Sequence, residues 1–180
     1  MPTYIAMLRG INVSGHKLIK MDQLRASFQA LGFRNVRTYV QSGNVIFEAG
    51  NDPVASLSEK IVKRILREFG FPVPALLRTA KEMERIVGKN PFLKKAAIDD
   101  SKLHITFLSE AAPKTAEKSL QTLAVNSEQF RISGHEIYLY CPDGYGRTKL
   151  SNSAIEKKLS VVATTRNWKT LNALVGMTKP

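Results

Sequence analysis

The feature that most constrains the fold of this chain is one order of strands and helices that occurs twice. An apolar strand over residues 3–8 precedes a helix with apolar side chains at helical spacing, and a strand pair then turns at Ser42-Gly43. A second helix ends at Gly70 and leads into a strand over residues 73–77. This βαββαβ order predicts a ferredoxin-like arrangement.

The same pattern begins again in the second part of the chain. A strand over residues 103–107, a helix and a hairpin that turns at Ser133-Gly134 repeat the first order. At the place of the last strand, the spacing of apolar residues favours a helix that begins near Thr165 and buries Trp168. The sequence therefore predicts an internal duplication with a changed ending.

We expect an α+β protein of two duplicated ferredoxin-like halves, which occupy residues 1–90 and 91–180. Each half should form an antiparallel or mixed sheet with its helices on one face. In the second half, a C-terminal helix is expected to replace the last strand.

The composition indicates the cellular compartment and excludes some kinds of site. Cys141 is the only cysteine, which excludes an internal disulfide and is typical of a reducing cytoplasm. The apolar runs are of strand length and the first residues lack the features of a signal peptide, so we expect a soluble cytoplasmic protein without membrane contact. The three histidines, His16, His104 and His135, have no metal-ligand spacing, and no dinucleotide or phosphate-loop fingerprint occurs. We predict neither a metal nor a cofactor.

The net charge of +12 is unevenly distributed along the chain. Residues 1–48 carry a net charge of +4 and residues 144–180 a net charge of +6. A positive field attracts phosphates, nucleic acid or acidic partners. A solvated basic surface that only keeps the protein soluble explains the same numbers, and the sequence leaves both interpretations open.

A glycine- and amide-rich loop follows the first strand. The first and second strands of a ferredoxin-like half run parallel, so this loop and the hairpin after the second strand should lie at one edge of the sheet. Glycines let backbone N–H groups turn outward, and the start of the next helix adds partial positive charge. We predict an anion site there, formed by Arg9, Gly10, Asn12, Gly15, Lys17, Gln41, Ser42 and Asn44.

A structural interpretation of this loop and hairpin competes with the anion site. In it, the glycines only supply positive φ angles, and Asn12, Gln41 and Asn44 tie the loop to the hairpin. If there is chemistry at this edge, His16 is the candidate general base, because an imidazole titrates near neutral pH.

A second basic segment lies near the end of the chain. Arg147, Lys149, Arg166 and Asn167 are candidates for an additional phosphate contact. The alternative is that these segments are glycine turns, helix caps and the surroundings of Trp168.

Long stretches of the chain resemble a known family. They are Leu8–Val13, Tyr39–Val45, Asp143–Leu150, Glu156–Leu159 and Ala163–Trp168. The chain is identified by these stretches as similar to the domain-of-unknown-function 1697 family of bacterial proteins. The resemblance implies two ferredoxin-like halves and implies no activity.

The sequence favours a cytoplasmic module that binds a phosphorylated or nucleic-acid ligand at the edge formed by the loop of residues 9–17 and the hairpin of residues 41–44. Two other classes stay open. One is an enzyme that acts on a small phosphorylated or acidic substrate in the same pocket, and the other is a protein-interaction module for an acidic partner.

Overall fold

The computed structural model describes residues 1–125 and 127–180. The strands are β1 (Thr3–Leu8), β2 (Arg34–Tyr39), β3 (Asn44–Glu48), β4 (Ala75–Thr79), β5 (Leu103–Leu108), β6 (Gln129–Ser133), β7 (Glu136–Tyr140) and β8 (Ala163–Asn167). The α-helices are α1 (Met21–Ala30), α2 (Val54–Phe69), α3 (Ala80–Gly88), α4 (Ala116–Gln121), α5 (Asn152–Leu159) and α6 (Trp168–Thr178). Single 3₁₀ turns cover Pro91–Lys94, Asp100–Lys102 and Tyr145–Arg147.

The first sheet is antiparallel throughout and has the strand order β2-β3-β1-β4. Helices α1 and α2 cover one face and bury alternate residues of β1, namely Tyr4, Ala6 and Leu8. Helix α2 shows the local cause: Leu57, Ile61 and Ile65 recur every four residues and form its buried stripe. This is the ferredoxin-like order expected from the sequence.

The second sheet repeats the first with the order β6-β7-β5-β8, again antiparallel. Helices α4 and α5 share a core with the inner faces of these strands. The expectation of a helix in place of the last strand was wrong, because residues 163–167 form β8. Helix α6 begins after this strand, at Trp168, just as α3 follows β4.

Strand β8 is unusually polar, which explains the error. Its only apolar residue is Ala163. Hydrogen bonds of its hydroxyl groups take the place of apolar contacts. Thr165 lies opposite Thr106 on β5, and their hydroxyl oxygens are 2.7 Å apart. The buried Arg166 guanidinium donates to the Thr164 hydroxyl at 2.7 Å. Cross-strand threonine pairs and a high β propensity thus stabilise a strand that hydrophobic spacing does not reveal.

The chain divides into two compact units, Met1–Arg85 with Leu174–Pro180, and Ile86–Ala173. The domain boundary near residue 90 stays a prediction. Among the described residues, no helix is long and apolar enough to cross a membrane.

Candidate functional site

The ends of β1 and β2 lie at one edge of the first sheet, as its topology requires. Met7 and Tyr39 are both register partners of Asn44, the first residue of β3. The Leu8 N–H then donates to the Gly43 carbonyl at 2.9 Å, which joins the start of the loop to the hairpin. The predicted loop and hairpin therefore form one continuous surface.

Asn12 is the residue that holds this surface together. Its side-chain amide donates to the Ile19 carbonyl at 3.0 Å and to the Gln41 carbonyl at 2.8 Å, and its side-chain oxygen accepts the Ile19 N–H at 2.8 Å. Its backbone N–H donates to the Lys17 carbonyl at 3.1 Å. One side chain thus closes the loop upon itself and fastens it to the hairpin.

Gly43 permits the close approach of the loop to the hairpin. A Cβ atom at this position would lie 2.6 Å from Ile11 Cδ1 and 3.1 Å from Leu8 Cβ. Its φ of +84° is also in the left-handed region. Because Ile11 is fully buried against this turn, any side chain at Gly43 would push the loop away.

Left-handed backbone is concentrated at this edge. The residues with positive φ there are Gly10, Asn12, Ser14, Gly15, Lys17, Val40 and Gly43. Successive N–H groups in turns with left-handed residues can form anion-binding concavities. At this edge the N–H groups of Asn12, His16 and Gly43 already donate to the carbonyls of Lys17, Val13 and Val40. Non-glycine residues in this region cost of order 1–3 kcal/mol each when they are held there, and such strain clusters at functional sites.

The predicted site residues divide into exposed and internal groups. Gln41, Ser42 and Gly15 are exposed, whereas Asn44 is fully buried. The Asn44 amide donates to the Tyr39 carbonyl at 3.0 Å and to the Ser42 hydroxyl at 3.1 Å, so it shapes the hairpin from inside. The interpretation that these amides only tie the loop to the hairpin thus explains Asn44, and in part Asn12.

The cations of the loop differ in their surroundings. The Lys17 ammonium donates to the Pro72 carbonyl at 2.8 Å, and Arg9 is half-buried with its N–H bonded to the Pro74 carbonyl at 2.9 Å. His16 is exposed at the tip of the loop. Its role as a base stays a prediction.

The second basic group is split by the fold. Arg147 and Lys149 are exposed, whereas Arg166 retains only 6% of its accessible surface. Burial lowers the pKa of the Arg166 guanidinium to about 10. The Asn167 side chain accepts the Thr170 N–H at 2.8 Å and so stabilises the first turn of α6. Arg147, Lys149 and the exposed Asn167 of this group are accessible to a surface ligand, and the buried Arg166 is not.

Cys141 is buried and belongs to the second compact unit. Burial, with a smaller contribution from the Glu128 carboxylate, raises the pKa of the Cys141 thiol to about 11. The thiol is therefore protonated and unreactive at neutral pH. No three His, Cys, Asp or Glu side chains of the described chain are grouped as metal ligands.

A depression of about 600 Å³ lies along α4. It is lined by Lys114, Glu117, Lys118, Gln121 and Thr122. Every one of these residues is exposed, so the depression has no buried polar group to orient a ligand. The edge with Asn12 at its centre remains the better candidate.

The comparison with family models decides the relationship that the motifs suggested. The model described as "Protein of unknown function (DUF1697)" matches residues 1–138, which include β1, the loop, the hairpin and β5. The chain belongs to the DUF1697 family.

A solved structure is similar to this DUF1697 chain over nearly its whole length. It is the conserved bacterial protein SP0830 from Streptococcus pneumoniae, with a TM-score of 0.77 and 23% sequence identity over 99% of both chains. At this identity the likeness establishes a shared fold. A comparison with curated proteins gives no match.

Proposed function

We propose that this protein is a cytoplasmic module that binds an anionic ligand, a phosphorylated compound or nucleic acid, at the edge formed by residues 9–20 and 40–44. The observation that carries the proposal is the set of bonds made by Asn12. Its contacts with Ile19 and Gln41 hold the loop, with its left-handed residues and its lysines, against the hairpin, and this arrangement supports an anion site.

The charge of the segment supports the choice of an anion. Residues 9–20 contain Arg9, His16, Lys17 and Lys20 and no carboxylate. An ammonium group has three donors, so the bond from Lys17 to the Pro72 carbonyl leaves capacity for a ligand. The proposal rests on Lys20, which is exposed, and on Lys17, which is half-buried, and it does not depend on Arg9, which is half-buried and holds other interactions.

The experiment compares the wild type with Lys17→Gln/Lys20→Gln. Inorganic phosphate, pyrophosphate and a labelled oligo(dT) are the probes, and binding is followed by thermal melting and by fluorescence anisotropy. We expect the wild type to bind oligo(dT) with an affinity that falls steeply with salt, because each phosphate contact releases counterions. The double variant should lose about tenfold in affinity, since each lysine contributes about one phosphate contact.

The matched control is Lys63→Gln, which removes an exposed cation from α2 in the same unit. It should leave the affinity unchanged within about twofold, because it lies outside the proposed edge and exposed ion pairs contribute little. If no probe binds at low salt, or if the control loses as much as the double variant, the proposal is wrong. If only the oligo(dT) fails to bind, nucleic acid is excluded and the small phosphorylated ligand remains.

A further inference from the structure

Three exposed aliphatic residues belong to the two segments that Asn12 joins. Leu18 is 66% exposed, Val13 57% and Val40 46%. Each is a chain neighbour of a group in the Asn12 network: Val13 follows Asn12, Leu18 precedes Ile19 and Val40 precedes Gln41. The bonds of 2.8–3.0 Å in this network therefore bring the backbone at these three residues to one edge of the first sheet. We call Val13, Leu18 and Val40 the apolar tip.

The other large exposed apolar side chains of the described residues are scattered. They are Met1, Val54, Leu66 and Leu93. Single exposed apolar residues are normal on a protein surface, whereas a cluster marks an interaction site.

Val40 adds a second reason to regard the tip as a binding surface. Its φ of +52° is in the left-handed region, which a β-branched residue rarely adopts. Glycine or asparagine would adopt this turn at lower cost. Neither burial nor backbone conformation therefore explains a valine here.

The surroundings of the tip identify the chemistry of that partner. Lys17 and Lys20 lie in the same carboxylate-free segment, so we expect the partner to carry negative charge. Single-stranded nucleic acid stacks its bases on aromatic rings or guanidinium planes. The tip presents branched aliphatic side chains instead, which pack well against the side chains of a polypeptide.

We infer that the apolar tip and its basic rim form a docking surface for an acidic polypeptide segment that also carries apolar side chains. The aliphatic groups supply the buried centre of the contact and the cations its polar rim. This surface extends beyond the anion site proposed above and does not require phosphate binding. Its small size predicts a weak, transient complex.

The test measures binding of three labelled probes by fluorescence anisotropy at low salt. The probes are a random glutamate–tyrosine copolymer, poly-glutamate of equal charge and oligo(dT). We expect the wild type to bind the copolymer more tightly than poly-glutamate. The triple variant Val13→Ser/Leu18→Ser/Val40→Ser should lose about tenfold in affinity for the copolymer and keep its affinity for poly-glutamate.

The matched control is Val54→Ser/Leu66→Ser, which removes exposed aliphatic groups from α2. It should bind both polypeptides as the wild type does, and circular dichroism melting checks that both variants are folded. Unchanged copolymer affinity in the triple variant overturns the inference.

The two proposals fail separately. Phosphate binding that needs Lys17 and Lys20, combined with copolymer binding that ignores the tip, overturns the docking surface and supports the anion site. If copolymer binding needs the tip and no phosphate probe binds, the anion site is overturned and the docking surface is supported.

Discussion

The two sheets end their first strands with the same backbone bonds and then diverge. In each, the last strand residue donates to the hairpin and the next residue donates to the chain just before the final strand, all at 2.8–2.9 Å. The bonds are Leu8 N to Gly43 O and Arg9 N to Pro74 O in the first sheet, and Leu108 N to His135 O and Ser109 N to Val162 O in the second. The backbone hydrogen bonds at this edge are thus the same in both sheets.

The loop after the first strand and the hairpin turn differ between the two sheets. In the second sheet, residues 109–115 connect to α4, residues 134–135 make the turn, and the backbone N–H of Ala112 donates to the Gly134 carbonyl at 2.9 Å. In the first sheet the longer loop and hairpin need the Asn12 side chain to hold them together. Since the short version satisfies the fold, the fold does not require the longer version.

The largest expected effect comes from Gly43→Ala. The new methyl group would clash with Ile11 and hold alanine at a φ of +84°, so we expect a loss of about 3 kcal/mol in the free energy of unfolding, measured with urea. Gly134→Ala is the matched change in the second hairpin, where the space is open and φ is +57°. It should cost only about 1 kcal/mol. Equal losses would show that the two hairpins are packed alike and would break the comparison.

Asn12→Ala has the next largest expected effect. It removes three side-chain hydrogen bonds and leaves alanine at a φ of +54°, so it should cost about 2 kcal/mol in urea denaturation. Gln41→Ala is the control, because the backbone carbonyl of Gln41, and not its exposed side chain, accepts from Asn12. It should change stability by less than about 0.5 kcal/mol. If both variants lost a similar free energy of unfolding, the Asn12 side chain would not be what holds the loop to the hairpin.

The smallest expected effect concerns acid sensitivity of the second sheet. His104 on β5 occupies the place that Tyr4 has on β1, and its ring stacks on Tyr145 at 4.8 Å. Burial lowers the pKa of His104 below 6.5. As the pH falls below 6.5, the unfolded chain binds a proton at this residue before the folded chain does, so stability decreases.

His104→Phe keeps the stacking and removes the titration. The free energy of unfolding should therefore fall less between pH 7 and pH 5 in the variant than in the wild type, as urea denaturation at each pH will show. Parallel pH profiles of variant and wild type would contradict this assignment.

The sequence predicted most of the fold because strand and helix periods were clear in both parts. It missed β8, where Ala163 is the only apolar residue and threonine hydroxyls make the cross-strand contacts. The duplication itself contained the missing signal: Arg166 has the same register position against β5 as Arg78 has against β1. If the two halves had been matched at these arginines, and hydrophobic spacing had been given less importance, the sequence would have predicted this strand.

The candidate site was predictable in position and less so in detail. The parallel direction of β1 and β2 brought the right loop and hairpin together, and Asn12 was among the residues named. The sequence could not show that Asn44 is internal, since an amide beside a turn serves either role. Nor could it show Val40 as exposed, because a β-branched residue after a strand pattern indicates a longer strand.

We expect the edge of the first sheet to bind anions and the matching edge of the second to bind none. Titration of ¹⁵N-labelled protein with pyrophosphate, followed by amide chemical shifts, tests this residue by residue. Saturating shifts are expected at residues 10–17 and 41–43, and unmoved amides at residues 109–115 and 134–135. Equal shifts at the two edges, shifts centred on the second, or no saturating shift at the first would contradict it.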